Sequence, residues 1–429
     1  MGKKSGHFGD RKGLSRRELF KIAGATGAGL AVGGGGVGAA LAAKGIVDAG
    51  SSPVNASVPF FGRNQAGIAT PQQDRLVFAA FDLATEDIFE VRDLLREWSA
   101  AAALMSKGQA VGEDSKNAYL PPDDTGEALD LSPARLTLTF GLGPTLFEHD
   151  GEDRFGLAAS RPVALEEIPR MPGDSLEPER SGGDLCVQAC ADDPQVAFHA
   201  IRNLTRIVRG AATMRWSQIG FGRTSSTSKA QDTPRNLMGF KDGTNNVKAE
   251  DGDFVDQHVW VQPGDEPAWM HDGTYVVARR IRMLIEVWDR SSLNDQEQTI
   301  GRHRLSGAPI GSENEFDPVD LVATGPDGKP LIPNDSHVRL SRENPDEKIL
   351  RRGYSFTDGM DSKRGQLDAG LFFISFQRDP QKQFVPLQRR LAENDALNEY
   401  ISHTGSALFA IPPGARQDSY VGETLFESA

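Results

Sequence analysis

Gly239-Phe240-Lys241-Asp242-Gly243-Thr244-Asn245-Asn246 is the stretch from which the rest of the chain can be read. It holds one acid, Asp242, in a turn-rich setting. Gly239 and Gly243 allow backbone conformations closed to other residues and let the main chain approach a ligand closely. Asn245 and Asn246 favour tight turns and bring both donors and acceptors. Taken alone, an Asp-Gly pair is an ordinary surface turn. Its meaning depends on what the remaining chain places around it.

The flanking sequence alternates strand and helix patterns. Arg75–Asp82 is an apolar strand, and 86–104 has helical spacing through Ile88, Val91, Leu94, Leu95 and Trp98. Arg135–Phe140 alternates, with Leu136, Leu138 and Phe140 on one face. Leu185–Ala191 is a strand, followed by a helix over 194–209 that Asp192 or Asp193 caps. A second round follows: a strand over 275–282, a polar-faced helix over 285–302, a strongly apolar strand over 370–377 and a helix ending near Leu391. Cys-Ala-Asp-Asp-Pro before one helix and Gln-Arg-Asp-Pro before another hint at duplication. The Pro/Gly-rich segments 108–130 and 150–183 read as surface loops.

At the N-terminus, Lys3, Lys4, Arg11, Lys12, Arg16, Arg17 and Lys21 precede an uncharged Gly/Ala-rich stretch from Ile22 to Ala43. That is a signal-peptide layout over residues 1–43, with a small-residue end at Ala40-Leu41-Ala42. Ser15-Arg16-Arg17-Glu18-Leu19-Phe20-Lys21 carries the twin-arginine pattern of export for folded chains, to the periplasm, cell envelope or outside. Residues 44–63 are small and polar, a flexible lead-in. The formal charge of −13 becomes more acidic once this basic leader is removed, so no basic stripe for nucleic acid is present. Cys186 and Cys190 sit in one extended run, which separates their Cα atoms by about 13 Å. A disulfide needs them within about 7 Å, so they read as small buried apolar residues.

The Gly-x-x-Asp-Gly run, with the Thr-Asn-Asn behind it, resembles the signature of dye-decolourising (DyP-type) haem peroxidases. The chain from about Asn64 onward is similar to that family, above all to its secreted, iron-transport-associated deferrochelatase/peroxidase branch. The resemblance implies an α+β fold of the dimeric α/β-barrel type: two ferredoxin-like halves, 64–225 and 226–429, with antiparallel sheets packed together and haem b in the C-terminal half. His337, in Asn-Asp-Ser-His-Val-Arg-Leu, takes the place of the axial haem ligand, with His303 and His403 as alternatives. Asp242 takes the distal acid–base role. Arg351, in Ile349-Leu350-Arg351-Arg352-Gly353-Tyr354-Ser355-Phe356, takes that of the distal cation. Neighbouring residues of an extended chain point to opposite faces, so Arg352 should leave the pocket.

By the same resemblance Gly243, Thr244 and Asn245 lie over the haem edge, and Arg342, Glu343 and Asn344 border it from the proximal loop. Leu371 and Phe373 cap the distal side or are plain core. Glu399 is expected to hold the His337 ring, with Asp395 as the alternative. Some members carry an asparagine where this chain has Gly353. Tyr354 and Trp288 are candidates for passing electrons to the surface. The implied activity is oxidation of dyes, phenols or other one-electron donors by hydrogen peroxide. The alternative is removal of iron from haem with the porphyrin left intact, alongside iron-uptake proteins. A haem carrier without turnover is a third reading, which the joint presence of Asp242 and Arg351 opposes. A homodimer or higher homo-oligomer goes with the resemblance.

Overall fold

The computed structural model describes residues 56–112, 117–265 and 267–428; the signal-peptide reading of 1–43 lies outside them. Nine strands form one antiparallel sheet: β1 (Arg75–Leu83), β2 (Thr137–Leu142), β3 (Leu185–Ala191), β4 (Ala212–Arg223), β5 (Thr274–Met283), β6 (Leu350–Arg351), β7 (Tyr354–Asp361), β8 (Gln366–Gln377) and β9 (Ile401–Ile411). The order is β5-β9-β2-β3-β1-β4-β7-β8-β6, and β5 also pairs with β8. That last pairing closes eight of the strands into a barrel, which leaves few free edges to protect.

The closure agrees with the expected α+β arrangement of antiparallel sheets joined as a barrel. Within 75–223 the strand order is β2-β3-β1-β4, and within 274–411, the two-residue β6 beside β8 aside, it is β7-β8-β5-β9, so the four longer strands of each stretch are arranged alike. The seams between them are thin. β2 meets β9 through one register pair, Leu142 with Ala410, and β4 meets β7 through two, Phe221 with Ser355 and Arg223 with Tyr354. The aligned seams could not be read from periodicity, which says which face is apolar but not which edges meet.

Alternation along the strands fills the barrel. Leu76, Phe78 and Ala80 of β1 meet Phe372 and Ile374 of β8 and Phe409 of β9 inside it. Cys186 and Cys190 are buried there as free thiols, as expected. The outward residues of β1 to β3 pack on α1 (Ile88–Met105) and α2 (Pro194–Ile207), with Trp98 wholly buried. Asp193, not Asp192, caps α2, accepting from the amides of Gln195 and Val196. The helix expected over 285–302 is broken. A turn at 285–288 ends, and α3 (Leu293–Ile300) restarts at Ser292, whose hydroxyl accepts from Asp295 N. On the outward face of β5, β8 and β9 sits a smaller cluster of Met238, Phe240, Met283, Trp288 and Ile300. The one-turn helix α4 (His337–Leu340) and helix α5 (Phe384–Asn394) complete its walls. Among the described residues no helix is long and apolar enough to cross a membrane.

Candidate active site

A cleft with about 1560 Å³ of empty space, its open mouth included, lies over that outward face. Met238, Phe240, Ile281, Met283, Leu371 and Phe373 supply apolar wall; Asp242, His337, Arg342 and Arg351 supply charge. The β-strand alternation puts Leu371 and Phe373 in this cleft while Phe372 and Ile374 enter the barrel.

His337 opens α4 and turns toward the cleft, with 34% of its side chain exposed there. Its Nδ1–H donates to Asp395 Oδ2 at 2.6 Å, and Asp395 is 3% exposed. Burial pulls the imidazole pKa down, but the Asp395 charge and hydrogen bond push it further up, so it ends above the ordinary histidine value. Nε2 is left for a ligand. The other Asp395 oxygen accepts from Leu397 N at 2.9 Å, capping the short 3-10 helix Ala396–Glu399. Glu399, the first expectation for this role, is exposed. A 3-10 turn of three residues carries it off the face that Asp395 presents. The α4 backbone is itself tied down: Arg390 of α5 donates to Leu340 O at 2.8 Å and pairs with Glu347.

The quoted glycine-rich stretch forms another wall. Gly243 has φ +90°, and a Cβ there would lie 3.0 Å from Ser225 Cα, so both conformation and space exclude a side chain. Asp242 Oδ1 accepts from Arg351 Nη1 at 2.7 Å, and Asn236 Nδ2 donates to its Oδ2 at 3.3 Å. Asn246 clamps the arginine's main chain from both sides. Its Oδ1 accepts from Arg351 N and its Nδ2 donates to Arg351 O, each at 2.8 Å. Arg352 points the other way, fully buried, donating to Thr70 O and Gln73 Oε1.

Gly243, Thr244 and Asn245 line the cleft, as does Arg342. Glu343 and Asn344 do not: Glu343 is exposed beside Arg390, and Asn344 donates to Glu347. The proximal loop turns so that Arg342 faces in and the next two residues face out. At Gly353 a Cβ would lie 2.9 Å from Thr224 Oγ1 and 3.2 Å from Phe372 O, so an asparagine has no room. His303 pairs with Glu297 outside the cleft lining. His403 is in the wall, but burial, aided by Arg279, takes it down to about 3. Tyr354 is wholly buried in the barrel and cannot reach the surface; Trp288 is 2% exposed, its Nε1 donating to Met238 O.

Of the cations that complete the wall, sequence reasoning named Arg342 and missed Lys348 and Arg302. Arg342 and Lys348 have no carboxylate or hydrogen-bond partner for their charged ends among the described residues, and burial lowers both pKa values. Arg302, 6% exposed, falls to about 10 through burial and the nearby Arg342. Unpaired cations in a half-buried wall call for an anionic ligand. Among the described residues no three His, Cys, Asp or Glu side chains gather to hold a bare metal ion. One imidazole backed by a carboxylate, an apolar slot and waiting cations together suit a large flat cofactor bearing carboxylates and its own metal.

Comparison with known proteins points the same way. Residues 65–222 match the family model "Dyp-type peroxidase, N-terminal" and 233–416 match "Dyp-type peroxidase, C-terminal". The chain is 37% identical over 381 residues to the deferrochelatase of Shigella flexneri serotype 5b, covering 87% of this chain and 88% of the relative. It is 38% identical over 378 residues to the deferrochelatase of Yersinia pestis bv. Antiqua, covering 86% and 85%. Ferric DtpA from Streptomyces lividans superposes with a TM-score of 0.80 at 41% identity, over 88% of this chain and all of that one.

Proposed function

The chain belongs to the Dyp-type peroxidase family, and we propose that within it the protein is an exported haem-b peroxidase using His337, Asp242 and Arg351. Family membership makes it a haem enzyme, peroxidase or deferrochelatase. The observation that carries the finer reading is the meeting of two pairs in one cleft, His337 with Asp395 and Asp242 with Arg351. We further read residues 64–225 and 226–429 as two ferredoxin-like halves, with the haem site in the second.

Bound haem supplies the iron at which peroxide is reduced and the oxidising power that a donor consumes. His337 Nε2 would hold the haem iron. Asp395 holds the Nδ1 proton, which fixes the ring and makes the imidazole more electron-rich. Arg342 and Lys348 take the carboxylates, while Leu371 and Phe373 shield the site from water. Asp242 accepts the proton from one peroxide oxygen and returns it to the other. Arg351 offsets the negative charge that grows on the departing oxygen. The Asn246 clamp keeps that guanidinium from drifting as the bond breaks.

The second reading, iron release from haem, is favoured by the names of the curated relatives. The twin-arginine sequence at Arg16-Arg17 supports export to the periplasm or beyond. The decisive experiment loads the protein with haem and follows peroxide-dependent dye oxidation and iron release side by side. Dye oxidation that Asp242→Asn and Arg351→Leu both slow supports the peroxidase. Iron release without any peroxide-dependent oxidation supports the deferrochelatase. Neither activity would leave a carrier.

A further inference from the structure

Beside Asp242 stands a second cation. Lys241 lies one residue away in the chain, and a free ammonium there could compete with Arg351 for the Asp242 carboxylate. The structure directs it elsewhere. The Lys241 stem runs over Gly307, where an added Cβ would meet Lys241 Cδ at 2.7 Å, and its ammonium pairs with Glu315 Oε2. The other Glu315 oxygen accepts from Thr244 Oγ1 at 3.0 Å. Glu315 thus grips the residues on both sides of Asp242-Gly243 from a loop more than sixty residues further along the chain. Its side chain is 8% exposed. Its own carbonyl accepts from Arg302 Nη1 at 3.0 Å, so the loop that carries it is anchored to the cleft wall. Burial raises the Glu315 pKa, but bonds from Lys241, Thr233 and Thr244 outweigh it and keep the group a carboxylate.

We propose that Glu315 is a positioning residue for Asp242: by holding Lys241 and Thr244 it leaves Arg351, among the described residues, as the only cation on the Asp242 carboxylate. The idea rests on the reading of Asp242 as the group that moves the peroxide proton. An ammonium drawn onto that carboxylate would occupy the lone pairs that take the proton and would turn the loop away from Arg351. Three properties separate this role from a plain structural ion pair. Loss of Glu315 frees the rival cation and harms the reaction. Loss of Lys241 frees nothing that competes. Removing both charges restores the arrangement.

The test uses haem-loaded full-length mature protein, with the rate of the peroxide-dependent spectral change measured per haem. Glu315→Gln is expected to react about tenfold more slowly, within the range of a disturbed proton-transfer group. Lys241→Met should stay within threefold of the parent, and Lys241→Met/Glu315→Gln should return to that level. Glu315→Asp, which keeps the charge, serves as a second variant if Glu315→Gln does not fold, and should fall between parent and Glu315→Gln. Equal loss in both single variants, or a double variant no faster than Glu315→Gln, overturns the proposal in favour of a structural pair. Asp242→Asn is measured in parallel. If it reacts at the parental rate, the Asp242 reading itself has failed; if it is slow while Glu315→Gln is not, only the positioning role has.

Discussion

Replacing Asp395 by Asn isolates what the carboxylate does for His337. The amide keeps the size of the side chain and can still accept from Leu397 N, so the 3-10 cap survives. What disappears is the charge 2.6 Å from Nδ1 on a group only 3% exposed, together with the oxygen that accepts from Nδ1–H, since the one amide oxygen stays on Leu397 N. A partner behind a metal-bound histidine typically contributes 10–100-fold to metal affinity or activity. A carboxylate favours the more positive, ferric state. If the loss falls on that state alone, each tenfold corresponds to about 59 mV for a one-electron couple, so the midpoint should rise by about 60–120 mV. Spectroelectrochemical titration of the haem-loaded variant reads this directly, with Glu399→Gln as the control expected to stay at the parental midpoint. An unchanged midpoint in Asp395→Asn, or a comparable shift in Glu399→Gln, would refute the assignment of Asp395 as the supporting acid.

Other substitutions divide the remaining roles. Asp242→Asn should slow the peroxide reaction by roughly 10²–10⁴-fold while keeping haem, and Arg351→Leu should cost about 3 kcal/mol of activation; stopped-flow spectra of the two against pH give both values. Gly243→Ala meets a φ of +90° and Ser225 Cα at 3.0 Å, and should lose at least ~1–2 kcal/mol of stability, read from urea unfolding. His403 titrates at about 3 folded against 6.5 unfolded. The unfolded chain therefore binds the extra proton between those values, and stability falls as pH drops through that window. His403→Gln should flatten the decline in urea midpoint from pH 6.5 downward; an unchanged slope would show that His403 is not responsible. Arg16→Lys with Arg17→Lys should leave the protein in the cytoplasm, as cell fractionation would show.

What could be read in the sequence was chemistry confined to a few neighbouring residues. Asp242 and Arg351 were singled out by short motifs that resemble the family's, and the structure sets the two together at 2.7 Å. What escaped depends on chain segments far apart. Asp395 and Glu399 are both acids in one short segment, and only the 3-10 turn decides which of them faces His337. Glu343 and Asn344 looked like neighbours of Arg342, yet the loop bends between them. Lys348 and Glu315 carry no motif; their meaning comes from burial and from partners elsewhere in the chain. Asn246 stood inside the quoted stretch, but its clamp on the Arg351 main chain spans 105 residues. The barrel was expected from the resemblance alone, since the alternation in β5 and β8 says nothing of their pairing.

The central claim is that His337 ties haem into this cleft, and ligand replacement tests it most directly. The parent and His337→Ala are each titrated with haem and their ferric absorption spectra recorded, with and without added imidazole. The account predicts one haem per chain in the parent, a large loss of binding in His337→Ala, and recovery of the parental spectrum when imidazole fills the space. A His337→Ala protein that keeps one haem per chain with an unchanged ferric spectrum would contradict it and move the axial ligand to another residue.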